Sequence, residues 1–147
     1  IRDSGITIQT DVQIDDIFGG DMDGVILPGG MPGTLNLQKS LKVTAILNHC
    51  LQKEKLIAAI CAAPMVLGGL GMLTGRQATC FPGFEDQLDG AVLSDDSVVR
   101  DGNFITAKGA GAALEFGAAI VDFFLPGDAG VSKGGRVLAQ MQTPAHV

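Results

Sequence analysis

The chain predicts an α/β fold built on a parallel sheet, and three observations carry that expectation. Two continuous apolar runs, Asp23-Gly24-Val25-Ile26-Leu27 and Leu56-Ile57-Ala58-Ala59-Ile60, read as buried strands, and each stops in a turn of small residues. A single amphipathic helical pattern separates them, and strand, helix and strand in that order join most simply through a right-handed parallel crossover. With 147 residues the chain is long enough for one domain with a real core and too short for two comfortable ones.

The elements follow in order. Ile6-Thr7-Ile8 is a short alternating segment, and residues 11–18 read as a connector with one weak turn of helix. The strand from Asp23 runs into Pro28-Gly29-Gly30-Met31-Pro32-Gly33, which reads as a turn. Ser40 then caps a helix whose apolar positions Val43, Ile46, Leu47, Cys50 and Leu51 keep the helical repeat as far as about Lys53. If the strands at 23–27 and 56–60 are parallel, both end at the same sheet edge, and the Gly29-Gly30 turn lies beside Cys61.

Residues 61–73 are expected to form the next helix, with Pro64 in its first turn and the glycines at 68, 69, 71 and 75 fraying its end. Residues 77–81 read as a strand entering the Pro82-Gly83 turn, and 85–88 as a short helical piece. Ser97 to Arg100 and Asn103 to Thr106 flank Asp101-Gly102, a strong hairpin signal. Lys108-Gly109-Ala110-Gly111 precedes a helix with Ala113, Phe116, Ile120 and Phe123 on one stripe, closed by Pro126-Gly127. The tail to Met141 is weakly helical, and fraying is expected beyond Thr143.

Composition narrows the function. Ten Lys plus Arg against sixteen Asp plus Glu give a net charge of −6, which repels polyanions and argues against nucleic acid. Cys50, Cys61 and Cys80 lack metal-ligand spacing and suggest no disulfide framework, so reduced, cytoplasmic thiols are the expectation. No apolar stretch of membrane-spanning length is free of Gly, Pro or charge, so a soluble protein without a membrane partner is expected. The chain opens on Ile1 in what reads as the run-in to a strand, which suggests a removed leader or a fragment.

Cys61 is the principal candidate for chemistry. A strand that stops on a cysteine and turns at once into a helix raises the thiol above the sheet edge and aims unpaired N–H groups at it, which favours thiolate. Ala62 and Ala63 leave the sulfur unshielded, and the N–H groups of Ala62 and Gly30 are placed to hold an oxyanion on a carbonyl carbon under attack. Taken alone, a cysteine after an apolar strand is more often inert core, and Gly29-Gly30 is equally explained as a turn needing positive φ. A general base is missing. His49 falls off the apolar stripe of its helix and should face solvent, and His146 is the penultimate residue. The acidic pairs Glu85-Asp86 and Asp95-Asp96 read as solvated loops. The glycines at 68–75 end a helix instead of joining strand to helix, which excludes a dinucleotide loop. Cys50 should be core, and Cys80 is a weaker candidate for a second, accessible thiol.

Three segments carry a family likeness: Val25-Ile26-Leu27-Pro28-Gly29-Gly30, then Leu56 to Pro64, then Thr106-Ala107-Lys108-Gly109-Ala110-Gly111 before Glu115-Phe116. Over about residues 4–124 the chain resembles the ThiJ/PfpI superfamily, and within it the DJ-one branch. The resemblance implies a flavodoxin-like three-layer sandwich, related to the class I glutamine amidotransferase fold, in which helices flank a mostly parallel sheet, with a nucleophile-elbow cysteine. It implies Cys61 as the reactive, easily oxidised cysteine, Gly30 and Ala62 as oxyanion donors, and Gly29, Phe81, Lys108 and Gly109 as pocket lining. It also implies a homodimer and chemistry with no cofactor and no metal. Members are known as glyoxalases, deglycases, oxidative-stress sensors or chaperones.

The departures are specific. Ala62 stands where peptidase-like members carry histidine, which argues against proteolysis. Phe81 stands where several members place a histidine near the sulfur. The first strand and helix of the fold, with the glutamate that serves the thiol, would precede Ile1, so residues 1–147 are expected to form a single domain lacking them, completed by a separate N-terminal segment. The expected function is a cysteine-dependent hydrolase or lyase of small reactive carbonyls, linked to oxidative or carbonyl stress. The alternative is a redox-sensing chaperone or binding protein whose cysteine becomes a sulfinic acid. Glutamine amidotransfer would want a downstream histidine paired with an acid, and the chain offers none.

Overall fold

Three short, largely apolar strands run side by side in one direction. A computed structural model describes residues 2–3, 6–17, 22–127 and 132–141. Its main sheet has the order β3-β4-β8-β7, with β3 (Gly24–Leu27), β4 (Leu56–Ile60) and β8 (Phe104–Ala107) parallel and β7 (Val98–Asp101) antiparallel to β8. The expected parallel pairing is present: Leu27 pairs with Ala59, and Ile60 with Ala107. The three segments 28–32, 61–63 and 108–112 therefore leave the sheet at one edge.

Two smaller pairings accompany it. β1 (Arg2–Asp3) meets β2 (Ile6–Thr7) antiparallel, and β5 (Gln77–Ala78) runs parallel to β6 (Val92–Leu93). The strand expected over 77–81 ends at Ala78, because beyond it the backbone turns to bond elsewhere: Thr79 N–H donates to Thr106 Oγ1 and Phe81 N–H to the Cys61 carbonyl. The hairpin turns at Gly102, whose φ of +62° suits the two-residue connection between Asp101 and Phe104.

Successive strand residues point to opposite faces, and each face has its own cluster. Leu27, Ile57, Ala59 and Phe104 join Val43, Ile46, Leu47 and Cys50 of α2 (Leu41–Gln52) and Met65, Val66 and Leu67 of α3 (Pro64–Gly69). Leu56, Ala58, Ile105 and Ala107 meet Phe116, Ile120 and Phe123 of α4 (Ala113–Phe124) on the other face. Helices thus flank a mostly parallel sheet, as the sequence led us to expect. Against α4 lies α5 (Lys133–Gln140), the helix expected in the tail, so close that a Cβ on Gly134 would fall 2.2 Å from the Ala118 carbonyl oxygen.

Three expectations need correction. A helix, α1 (Gly33–Lys39), follows the glycine turn where none was expected before Ser40. Its start is held by Thr34, fully buried, whose N–H and Oγ1 both donate to the Gly30 carbonyl at 2.9 Å. The helix expected over 61–73 is confined to Pro64–Gly69, and Gly71 already sits at φ +69°. His49 does not simply face solvent: it is half-buried, and its Nε2 is shielded with no hydrogen-bond partner among the described residues. The weak helical turn near residue 14 is a single 3-10 turn over Ile14–Asp16, and His146 lies outside the described residues.

Candidate functional site

Cys61 follows β4 directly and adopts φ +65°, a left-handed conformation rare for a residue with a Cβ. Bonds on both sides hold it there. Its N–H donates to the Ala107 carbonyl at 2.9 Å, and its own carbonyl accepts from Phe81 N–H at 2.9 Å. A strained backbone persists only when its surroundings over-determine it, and such residues concentrate where a side chain has a task. Residues 61–63 then form turns, with Ala63 N–H returning to the Ile60 carbonyl, before α3 begins. Since α3 has only six residues and starts at Pro64, backbone geometry distinguishes this cysteine more than a helix dipole does.

The glycine turn after β3 lies against the sulfur, as the parallel crossover required. A Cβ on Gly29 would sit 2.4 Å from Cys61 Cβ, 2.8 Å from the Ile60 carbonyl oxygen and 3.2 Å from Cys61 Sγ, so only glycine fits. Gly30 has φ +91°, and its carbonyl turns away to serve Thr34. Neither the Gly30 N–H nor the Ala62 N–H has an acceptor among the described residues, while the Cys61 N–H between these two loops is already engaged. The Cys61 side chain is half-buried.

Of the remaining candidates, Phe81 and Gly109 pack on each other beside this turn, whereas Lys108 lines a separate cavity with Cys80. The Phe81 ring rests on Gly109, where a Cβ would come within 3.2 Å of it, and meets Phe84 edge-on. Phe81 is 46% exposed. Lys108 points to the 94–97 segment: its Nζ donates to the Asp95 carbonyl at 2.6 Å and lies 4.0 Å from the Asp95 carboxylate. Glu85 accepts from Gly83 N–H, a local turn contact.

Cys80 overturns its expectation as an accessible thiol, being only 3% exposed. Burial first, then the Glu85 carboxylate, pushes its pKa up to about 11, against smaller lowering effects from the Phe84 N–H and Lys108. Cys50 is core, as expected, and burial raises its thiol too. All three cysteines are free. Sequence reasoning missed two anchors of the site, the Ala107 carbonyl and the Thr106 hydroxyl, which only the register of β8 against β4 reveals. Among the described residues, no group of three or more potential ligands is poised for a metal, and no helix is long and apolar enough to cross a membrane.

Residues 2–123 match the model of the DJ-1/PfpI family. The Parkinson disease protein 7 homolog of Danio rerio is 37% identical over 128 residues, which cover 85% of this chain and 64% of that protein. A protein named as a deglycase from Pyrococcus horikoshii is 31% identical, with 71% of this chain and 63% of that protein covered. The crystal structure of Drosophila melanogaster DJ-1beta superposes with a TM-score of 0.83 at 33% identity, over 96% of this chain and 75% of that one. The chain thus spans somewhat less than two thirds of the length of these curated relatives.

Proposed function

This chain belongs to the DJ-1/PfpI family, and on that footing we propose that it is a cysteine-dependent enzyme of small reactive carbonyls, of the glyoxalase or deglycase type, working without a cofactor. The observation that carries the reading is the pinned, positive-φ Cys61 between two backbone N–H groups that have no acceptor among the described residues. Relatives named as deglycases support the substrate class.

In this mechanism Cys61 is the nucleophile of an elbow. Its sulfur forms a bond to the carbonyl carbon of an aldehyde, and the π electrons move to oxygen. The Gly30 and Ala62 N–H groups receive that oxyanion, a kind of stabilisation typically worth about 3–4 kcal/mol per donor. A carboxylate beyond the described residues, as the family likeness implies, takes the C1 proton of the protonated adduct and returns it to C2, so that the hemithioacetal isomerises to a Cys61 thioester of the 2-hydroxy acid. Water then attacks the thioester carbonyl, the C–S bond breaks and the thiol is regenerated, a net hydration of an oxoaldehyde to a hydroxy acid such as lactate or glycolate. Cys61→Ser is expected to reduce methylglyoxal consumption to background while the far-ultraviolet circular dichroism stays unchanged. Turnover at the wild-type rate in that variant would eliminate the mechanism.

A second reading has support in the same geometry, because two free N–H groups suit the oxygens of a sulfinate as well as an oxyanion. Here the protein is a redox-responsive chaperone or binding protein. Peroxide would then alter partner binding while no carbonyl substrate turned over, and steady turnover would decide against it. A cytoplasmic homodimer belongs to both readings, and a monomer mass in sedimentation at working concentration would remove that part.

A further inference from the structure

Cys80 is a second thiol beside the site, and neither reading uses it. The bond from Phe81 N–H to the Cys61 carbonyl, 2.9 Å long, joins the two cysteine-bearing segments directly. In a trans peptide the preceding Cα lies on the same side as the amide hydrogen, so this bond holds the Cα atoms of Cys80 and Cys61 roughly 4.5–6 Å apart. Disulfides bridge Cα separations of about 4.4–6.8 Å. The sulfurs are near enough to act on each other electrostatically.

Access and environment assign the two thiols different parts. Cys61 is half-buried at the sheet edge, whereas Cys80 is closed to solvent and borders a cavity of about 290 Å³ with Pro82, Glu85, Leu93 and Lys108. A small oxidant therefore meets Cys61 first. The cavity gives the 79–82 segment room to adjust, while burial and the Glu85 carboxylate, only partly offset by the Phe84 N–H and the Lys108 ammonium, keep the Cys80 thiol protonated until its partner is oxidised. Closure requires Cys61 to rotate about χ1 away from Gly29, beside which its sulfur rests.

We propose that Cys80 is the resolving thiol of Cys61, closing a reversible Cys61–Cys80 disulfide once a hydroperoxide has oxidised Cys61 to a sulfenic acid. This rests on the reading that Cys61 is the reactive thiol. In the first step Cys61 sulfur attacks the terminal peroxide oxygen, the O–O bond breaks, and the peroxide takes two electrons and leaves as water or an alcohol. In the second, Cys80 gives up its proton, its sulfur attacks Cys61 Sγ, and the sulfenic hydroxyl departs with that proton as water. The disulfide withholds Cys61 from sulfinic oxidation, and a dithiol restores it.

The test treats the intact chain with a several-fold molar excess of hydrogen peroxide near neutral pH and follows intact mass, peptide linkage and, in parallel samples, dimedone trapping. The wild type is expected to lose two hydrogens, give a linked peptide containing Cys61 and Cys80, and return to its starting mass with dithiothreitol. Cys80→Ala and Cys80→Ser, each confirmed folded by circular dichroism, should instead gain two oxygens at Cys61 roughly ten-fold faster than the wild type. Equal rates of sulfinic oxidation in wild type and variants, with no linked peptide but with dimedone trapped at Cys61, would overturn the resolving role and leave Cys61 reactive. No dimedone adduct and no oxidation at Cys61 in any of the three proteins would overturn the reactive-thiol reading and the resolving role together.

Discussion

Cys61 and Cys80 lie on segments joined by one backbone hydrogen bond, yet their surroundings differ in every respect that governs a thiol. Cys61 has a left-handed backbone, bonds holding it on both sides, small residues around it and a half-buried side chain. Cys80 is shielded, within the core that α2 and α3 share with the sheet, and its thiol is pushed up to about 11 by burial and Glu85. The difference teaches that a thiol's exposure and backbone conformation in this fold are assigned by its neighbours, which is what the proposed reactivity of Cys61 rests on. The residue type is the same at both positions.

Disturbing the Cys61 turn should have the largest effect. Gly29→Val places a branched side chain where even a Cβ would be 2.4 Å from Cys61 Cβ. Carbonyl turnover is expected to fall by about 10²-fold through misplacement of the sulfur, with a stability loss of about 1–3 kcal/mol from overpacking. Steady-state kinetics and chemical denaturation check both parts, and wild-type turnover would show that the close approach is not needed.

The two cysteines should also separate in stability. Cys80→Ala removes a buried sulfur and is expected to cost about 1–2 kcal/mol, whereas Cys61→Ala at the sheet edge should stay within about 0.5 kcal/mol of wild type. Cys61→Gly should then exceed Cys61→Ala by about 1 kcal/mol, because glycine adopts φ +65° without the Cβ penalty. Urea unfolding of the three variants measures these differences, and an alanine more stable than the glycine would contradict the strained backbone.

The smallest effect lies far from both thiols and serves as the control. Asp122 accepts from Ser132 Oγ at 2.5 Å and Gly134 N–H at 2.8 Å, so it ties α4 to the start of α5. These bonds, the Ser132 hydroxyl first, hold its carboxyl below the usual aspartate range. A depressed folded value means the tie stabilises the fold above the ordinary aspartate pKa and is lost as pH falls through the depressed value. Hydrogen exchange in α5 should therefore accelerate selectively at acidic pH, relative to the intrinsic rate, and Asp122→Asn should flatten that response without touching Cys61 chemistry. An unchanged acid response in Asp122→Asn would assign it elsewhere.

The fold was largely legible because its signals are local. Leu56 to Ile60 is apolar throughout because helices cover both faces of β4, Val25 to Leu27 is as apolar although Ile26 is 51% exposed on the edge strand, and the stripe Val43, Ile46, Leu47 and Cys50 needs only the helical repeat to be recognised. α1 escaped notice because its first turn is stabilised by Thr34 reaching back to Gly30 and by burial, while Pro32 and Gly33 read locally as punctuation. The overlong helix at 61–73 has the opposite cause: apolar residues continue through Leu70, Met72 and Leu73, but the glycines end the helix and let the chain turn.

Spacing along the chain therefore determined the parallel crossover, the common edge where Leu27, Ile60 and Ala107 end, and the candidacy of Cys61 beside Gly29. Tertiary structure alone decided the conformation of Cys61, the burial of Cys80 and the hydrogen bond between their segments. The physical reason is range. Periodicity records which face a residue turns to its nearest neighbours, whereas the φ of Cys61 is set by Ala107 and Phe81, residues remote in sequence that reach it only once the sheet has formed.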